Sequence, residues 1–383
     1  MRYCIVTETY PPEVNGVALT VQGLERGLRA RGHDVDVVRP RQASETAAAE
    51  PQETLVSGAQ IPRYPGMRFG FPAARMLRRL WKEKRPDAIY VATEGPLGWS
   101  AMKVAAELGI PSSSGFHTRF DEYMRDYGVP FLQPVALRWM RHFHNASDAT
   151  LVPTCELADF LNETGFDKVA HLPRAVDTSR FSPDKRDEAL RASWGLEPND
   201  LAVIYLGRIA AEKNLPLAVR SFREIQQKVP KAKFIWVGVG PAAEGIQRAN
   251  PDFIFAGLRR GDDLARHFAS TDMFVFPSHS ETFGNVTIEA MASGVPPVAY
   301  CYGAAKEHLR DGIDGFAIEG KSEEAFVNAS VRLATDPGLR ESMRVNARES
   351  VARLQPAQVA SDLDDILLRM INGRNAHELA AVA

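Results

Sequence analysis

At 383 residues the chain is long enough for two domains of roughly 150 residues or more, each with its own core. Hydrophobic residues at 45% and charged residues at 25% are those of an ordinary folded protein, which excludes a disordered or fibrous chain. The 46 Lys and Arg against 48 Asp and Glu leave a net charge of -2, so nothing draws the whole molecule to nucleic acid and no such partner is expected.

Residues 3–7 are strand formers, and Val17, Val21, Leu24 and Leu28 then recur at helical spacing until Gly32. Residues 34–38 read as the next strand, which completes a right-handed parallel unit. Glu8 follows the first apolar run so closely that the N-terminus reads as a strand and not a signal peptide. No run approaches the roughly 18 apolar residues of a membrane span. The Ala- and Glu-rich stretch 43–53 reads as a loose loop. Further strands are expected at 88–92, 111–116 and 150–153, with helices beginning near Pro72, Pro96, Pro130 and Cys155. The rhythm breaks at Leu172-Pro173-Arg174-Ala175-Val176-Asp177 and Phe181-Ser182-Pro183, read as an interdomain linker.

A second series of strands then begins, at 201–206, 233–237, 252–256, 273–276 and 297–300, each followed by a helical segment. The expected class is α/β, two doubly wound parallel sheets in tandem. The domains are expected at 1–174 and 175–355, with a helix at 356–372 crossing back to the first and a tail at 373–383. Cys4, Cys155 and Cys301 are too few and scattered for a zinc cluster, and an odd number argues against a disulfide framework; a reducing cytoplasm fits.

In doubly wound sheets ligands bind outside the carboxyl ends of the strands, so chemistry is sought in the loops after strands. The densest constellation follows residues 273–276. A loop carries Glu281, a helix begins near Gly284, and Glu289 lies inside that helix. Free amides and the macrodipole at a helix start form an anion site, and a glycine there lets a phosphate approach the chain; an ordinary helix start with solvated acids remains the plain alternative. A hydrolase pair is disfavoured, because eight helical residues separate two backbones by about 12 Å, beyond the roughly 5 to 9.5 Å of glycosidase carboxylates. Separate tasks suit them better: Glu289 for ribose hydroxyls, Glu281 for a sugar hydroxyl.

Arg208 and Lys213 leave the end of the strand at 201–206, where two cations can neutralise a diphosphate. Gly238-Val239-Gly240-Pro241 has dinucleotide-fingerprint spacing, but the next strand, 252–256, ends in Gly257-Leu258-Arg259 instead of the acid the fingerprint wants about 20 residues on, so dehydrogenase chemistry is disfavoured. In the first half, His117 stands at a strand end and Asn15-Gly16 lies between the first strand and helix, each also readable as structural. Gly-x-Ser-x-Gly is absent, so no nucleophile elbow is expected.

Together these motifs resemble the retaining family-4 glycosyltransferases of the GT-B fold, two Rossmann-like domains facing a central cleft. The resemblance spans nearly the whole chain: Asn15-Gly16, Gly115-Phe116-His117, Gly207-Arg208 with Lys213, Gly238-x-Gly240-Pro241, Glu281 with Glu289, and Gly294-Val295-Pro296. It implies that Arg208 and Lys213 bind the donor diphosphate, with Asn15, Gly16 and Gly240 also on the donor. It implies that the backbone of Phe283, Gly284, Asn285 and Val286 cradles the diphosphate and that Glu289 holds the ribose. Glu281 would contact the donor sugar, His117 would sit at the reacting sugar, and Leu258 would face the nucleobase. The implied reaction moves a hexose from a UDP- or GDP-sugar to an acceptor hydroxyl with retention, the leaving phosphate taking the acceptor's proton. No divalent metal or other cofactor is expected. The sequence departs from the family at Arg174-Ala175, Val239 and Gly303-Ala304.

Similar sequences include bacterial mannosyl, glucosyl and sulfoquinovosyl transferases, which implies a glycolipid, diacylglycerol-type or carbohydrate acceptor. The stretch 63–85 carries Arg63, Arg68, Arg75, Arg78, Arg79, Lys82, Lys84 and Arg85 against one acid, with Ala73, Met76, Leu77, Leu80 and Trp81 on one helical face. A second basic, aromatic stretch spans 131–144, with Trp139, Arg138 and Arg141. Both suit an anionic membrane surface and a peripheral location on the inner face of the cell membrane; a core-facing stripe with solvated arginines is the alternative. An epimerase of the same fold and a non-catalytic membrane-binding protein are the alternative functions.

Overall fold

Strand β1 (Arg2–Val6) lies at the heart of a parallel sheet, four of its five residues buried, as an uninterrupted apolar run requires. It is flanked by β2 (Asp34–Pro40) and β6 (Ala88–Val91), with Cys4 opposite Asp36 on one side and Ile89 on the other. The sheet continues outward to β3 (Glu53–Val56) beyond β2. On the other side it adds β7 (Ser112–Gly115), β8 (Ala149–Val152) and β9 (Val169–His171). Every neighbouring pair is parallel. A short antiparallel pair, β4 (Gly58–Gln60) and β5 (Arg68–Gly70), stands apart from it.

The computed structural model describes residues 1–13, 15–42, 45, 52–60, 68–117, 133–279, 281 and 283–382, with side chains to 374. The chain forms two compact units, Met1–Ala175 with Pro356–Ala383, and Val176–Gln355.

Alternation along β1 builds two cores in the first unit. Tyr3 and Ile5 pack with Val21, Leu24 and Leu28 of helix Gly16–Ala30 and with Leu363 and Leu367 of the closing helix. Cys4 and Val6 point to the opposite face, among Leu77 and Trp81 of helix Ala74–Glu83 and Val104 of helix Pro96–Leu108. The second unit repeats the plan around β10 (Ala202–Leu206). Its sheet runs β12 (Ile254–Gly257), β11 (Lys233–Val237), β10, β13 (Met273–Phe276), β14 (Pro297–Tyr300), β15 (Phe316–Ile318), all parallel. Ile204 faces one core and Val203 the other. Each unit is a Rossmann-like doubly wound domain, the pair of domains that the resemblance to the GT-B fold implies.

The closing helix, Pro356–Val382, packs on the first unit through its apolar stripe and through Asp364. Asp364 is buried and accepts from Tyr3 Oη at 2.7 Å, Arg31 Nε at 3.1 Å and His33 Nε2 at 3.0 Å. The sequence reading ends this helix at 372; the structure carries it past Gly373 to Val382. One glycine costs a helix about 1 kcal/mol, which the helix formers after it outweigh.

Strands β3, β9 and β15 were not expected from the sequence. Each has three or four residues and lies at a sheet edge, where pairing with a neighbour and not local pattern defines the strand. Most of the expected loop at 43–53 lies outside the described residues, but Glu53 opens β3. Among the described residues no helix is long and apolar enough to cross a membrane.

Candidate active site

In the second sheet the chain runs from β10 outward through β11 to β12, then returns to the far side of β10 as β13. The loops after β10 and β13 therefore diverge at the switch point, leaving a crevice between them at the carboxyl edge. The first loop carries Gly207, Arg208 and a single 3-10 turn, Ala211–Lys213, which Asn214 ends in the left-handed region at φ 51°. Tyr205 Oη donates to the Arg208 carbonyl at 2.9 Å and holds the loop's start. The second loop ends at Gly284, whose φ of 88° favours glycine and which caps helix Asn285–Ala292.

Lys213 and Glu281 meet across this crevice as an ion pair. Ser278 Oγ donates to the same carboxylate oxygen at 3.0 Å. Tyr302, just beyond β14, donates its hydroxyl to the Ser278 carbonyl at 2.8 Å and accepts the Glu281 N–H at 3.1 Å. Phe276, Ser278, Glu281, Phe283, Thr287 and Tyr302 line a small recess. Lys213 and Glu281 retain 14% and 20% side-chain exposure, so a ligand can reach the pair while water screens it less than a surface pair. Arg208 leaves the same strand but is half exposed and pairs with Glu212 at 3.3 Å.

Glu289 lies on the helix that Gly284 caps. Burial pushes its carboxyl up to about 7, against the opposing pull of Arg180. Among the described residues no hydrogen bond reaches this carboxylate, so it is equipped to accept from a ligand hydroxyl. The Phe283 side chain is buried in the core, with its carbonyl accepting the Ala304 N–H at 2.7 Å. Asn285 and Val286 are partly exposed in the first turn of the helix. A Cβ at Gly240 would stand 2.2 Å from the Ile209 carbonyl, and one at Gly238 would stand 2.0 Å from that of Gly207. This glycine pair thus serves close packing of the loops after β10 and β11. Leu258 is half exposed at the end of edge strand β12.

Asn15, Gly16 and His117 belong to the first unit. Asn15 Oδ1 caps helix Gly16–Ala30 by accepting the Ala18 N–H at 2.8 Å, and its amide donates to Thr9 and Glu13. His117 follows β7, buried, with Tyr90 Oη 2.7 Å from Nε2 and the Arg174 guanidinium on Nδ1. Burial first, then the charge of Arg174 and the neighbouring His144, hold its pKa well below the ordinary histidine value. Behind it Ser114, His144 and Glu94 form a hydrogen-bonded row, 2.8 Å and 3.2 Å apart. All three are buried, and Ser114 and His144 have no exposed surface, so the row braces the loop and is no nucleophile site. Glu8 caps helix Pro96–Leu108 by accepting the Leu97 N–H at 3.0 Å, and burial pushes its carboxyl up to about 7.

Ser278, Tyr302, Tyr205 and Arg180 around the second unit's candidates, and Tyr90 and Arg174 around His117 in the first, are partners that sequence reasoning missed. Their signal is sheet adjacency: Tyr302 reaches Glu281 because β14 lies beside β13, which no local motif encodes.

The basic stretch at 63–85 is only partly free. Arg63 lies outside the described residues, Arg78 pairs with Glu107 at 2.6 Å, Lys84 with Asp36 at 3.1 Å, and Arg85 donates to the Leu108 carbonyl. Leu77 and Trp81 are buried in the core, so the apolar stripe faces inward. In the second stretch, Phe131 and Leu132 lie outside the described residues. Helix Gln133–Asn145 leaves Val135 at 64% and Trp139 at 42% exposure, with Arg138 and Arg141 exposed beside them.

Two family profiles match, one described as Glycosyltransferase Family 4 over residues 14–180 and one as Glycosyl transferases group 1 over 200–336. A GDP-mannose-dependent alpha-mannosyltransferase of Mycobacterium tuberculosis is 31% identical over 365 residues, 92% of each chain. An alpha-monoglucosyldiacylglycerol synthase of Streptococcus pneumoniae is 24% identical, over 89% of this chain and 80% of that one. Among solved structures, sucrose-phosphate synthase from Thermosynechococcus elongatus has the same fold, at a TM-score of 0.77 and 18% identity over the whole of both chains. Anabaena HepE, solved with UDP, aligns at 0.76 and 17% identity over 96% of this chain and 99% of its own.

Proposed function

We infer the reaction from one premise: the chain belongs to glycosyltransferase family 4. It is a glycosyltransferase that draws its sugar from a nucleotide sugar and delivers it to a lipid or glycolipid acceptor. Its donor is GDP-mannose, the reading favoured by its 31%-identical relative, a GDP-mannose-dependent mannosyltransferase, and transfer retains the anomeric configuration. The observation that carries this assignment is the ion pair of Lys213 and Glu281 across the switch point of the second sheet.

Breaking the bond from the anomeric carbon to the diphosphate builds negative charge on the leaving oxygen and positive charge on the sugar. Lys213 and Arg208 supply cations to the leaving group, and the amides of the Phe283–Val286 run add the positive end of the helix dipole. Glu281 gives up part of its bond with Lys213 to receive a sugar hydroxyl, and Glu289 accepts the ribose hydroxyls. Leu258 packs on the nucleobase, Asn15, Gly16 and Gly240 shape the loops that receive the donor, and His117 contacts the reacting sugar. The leaving phosphate takes the acceptor's proton, so neither a protein base nor a metal ion is required.

Membrane contact is made by Val135 and Trp139, flanked by Arg138 and Arg141, on anionic lipid, with the exposed Arg75 of helix Ala74–Glu83 adding charge.

A thermal-shift panel of GDP-, UDP- and ADP-sugars tests the donor. GDP-mannose should raise the melting temperature most, and product should then form on a diacylglycerol-based acceptor in the presence of chelator. No shift with any nucleotide sugar, or an isomerised donor with no product on acceptor, overturns the assignment. Loss of cosedimentation with phosphatidylglycerol vesicles in Trp139→Ser tests the membrane contact.

A further inference from the structure

We propose that Arg174 is a positioning residue that fixes His117 as a neutral imidazole with its one ring proton on Nε2. The inference rests on the reading of His117 as a group at the reacting sugar and deepens it by assigning the ring's protonation.

The argument is one of donors and acceptors. A guanidinium has only N–H donors, and the terminal nitrogen of Arg174 lies within hydrogen-bond reach of His117 Nδ1. That ring atom must therefore present its lone pair. The proton of the neutral ring is then on Nε2, where the Tyr90 hydroxyl oxygen, 2.7 Å away, accepts it. A proton on Nδ1 would set an N–H against an N–H, and a doubly protonated ring would add cation against cation, in a site that holds His117 at 8% and Arg174 at 7% exposure. Gly115 leaves the space this arrangement needs: a Cβ there would stand 2.3 Å from Tyr90 Oη and 2.6 Å from His117 Nε2. Among the described residues no carboxylate pairs with Arg174, so its one hydrogen bond to a side chain is the one to His117.

Among the described residues the groups facing the ring are Tyr90 from β6, Arg174 from the stretch after β9, and His144 from helix Gln133–Asn145, with Glu94 behind His144. Tyr90 keeps its proton because burial raises its pKa, and Arg174 stays charged even though burial draws it down to about 10. With Nδ1 occupied and Nε2 protonated, His117 cannot take the acceptor's proton. It serves turnover as a fixed neutral group, which leaves proton removal to the phosphate.

The test is a two-bond proton–nitrogen correlation spectrum of the full chain labelled with nitrogen-15 histidine, the His117 signal being identified by its loss in His117→Gln. Wild type should show the neutral Nε2–H form throughout about pH 6 to 8. Arg174→Met should let His117 exchange tautomers or titrate within that range, lower kcat about tenfold and introduce an acid limb in its pH profile. Arg174→Lys, which restores a donor, should recover the Nε2–H signal, and Tyr90→Phe should keep it. A wild-type proton on Nδ1, a charged ring in that range, or an Arg174→Met signal identical to wild type overturns the proposal. Should Arg174→Met fail to fold, the wild-type spectrum alone decides. Failure of the wild type to bind any nucleotide sugar would overturn the transferase reading and leave this spectrum unchanged.

Discussion

The hydroxyl of Tyr302 accepts the backbone N–H of Glu281 at 3.1 Å while donating to the carbonyl of Ser278 at 2.8 Å, so one side chain fixes both ends of the loop that presents the carboxylate. Tyr302→Phe removes both bonds and keeps the ring. Stability should fall by about 1 kcal/mol, while the donor KM should rise roughly fivefold because the loop no longer holds Glu281 in place. Steady-state kinetics beside a melting curve separates the two effects, and an unchanged KM would show that the strap is structural only.

Lys213 and Glu281 neutralise one another, so each single variant leaves a partly buried charge without its partner. Lys213→Ala and Glu281→Ala should each lower kcat by about a hundredfold or more with the fold intact by circular dichroism. Turnover near wild type in either variant removes that residue from the mechanism.

Glu289 must be ionised to accept strongly from ribose hydroxyls, and burial lifts its carboxyl to about 7. Protonation below that value should weaken donor binding about tenfold between pH 8 and pH 6. A nucleotide sugar has no diphosphate proton to titrate in this range, so the slope belongs to the protein. Calorimetric titration of GDP-mannose at both values, repeated with Glu289→Gln, checks this; the variant should bind weakly and without the slope.

Asp364 ties the closing helix to β1. Burial alone would raise its carboxyl, but the hydrogen bonds from Tyr3, His33 and Arg31 outweigh it and hold the group below its ordinary value. A carboxyl lowered by folding contributes stability above its unfolded pKa and loses it as the pH falls through the folded value. Asp364→Asn should therefore cost about 2 kcal/mol near neutral pH and little near pH 2, with the melting temperature lowered by roughly 4 to 8 °C at neutrality. Equal melting of variant and wild type at pH 7 would count against this tether.

The central strands of both sheets were legible because their residues are apolar on both faces: residues 233–237, 273–276 and 297–300 coincide with β11, β13 and β14. The edge strands β3, β9 and β15 were not, since three or four residues acquire strand geometry only from a neighbour. Lys213 and Glu281 were each identifiable as loop residues at strand ends. Their ion pair was not, because it joins loops separated by 68 residues.

The sequence by itself determined the alternation of strands and helices, the loops that carry charge, and the likeness to a family of sugar transferases, because periodicity and motif are local properties of the chain. The tertiary structure decided which charges are paired and which carboxyls are lifted by burial. It also decided that the apolar stripe of Leu77 and Trp81 turns to the core and that the imidazole of His117 is held from both sides. Those outcomes depend on strand order and depth, and both arise only when distant segments pack together.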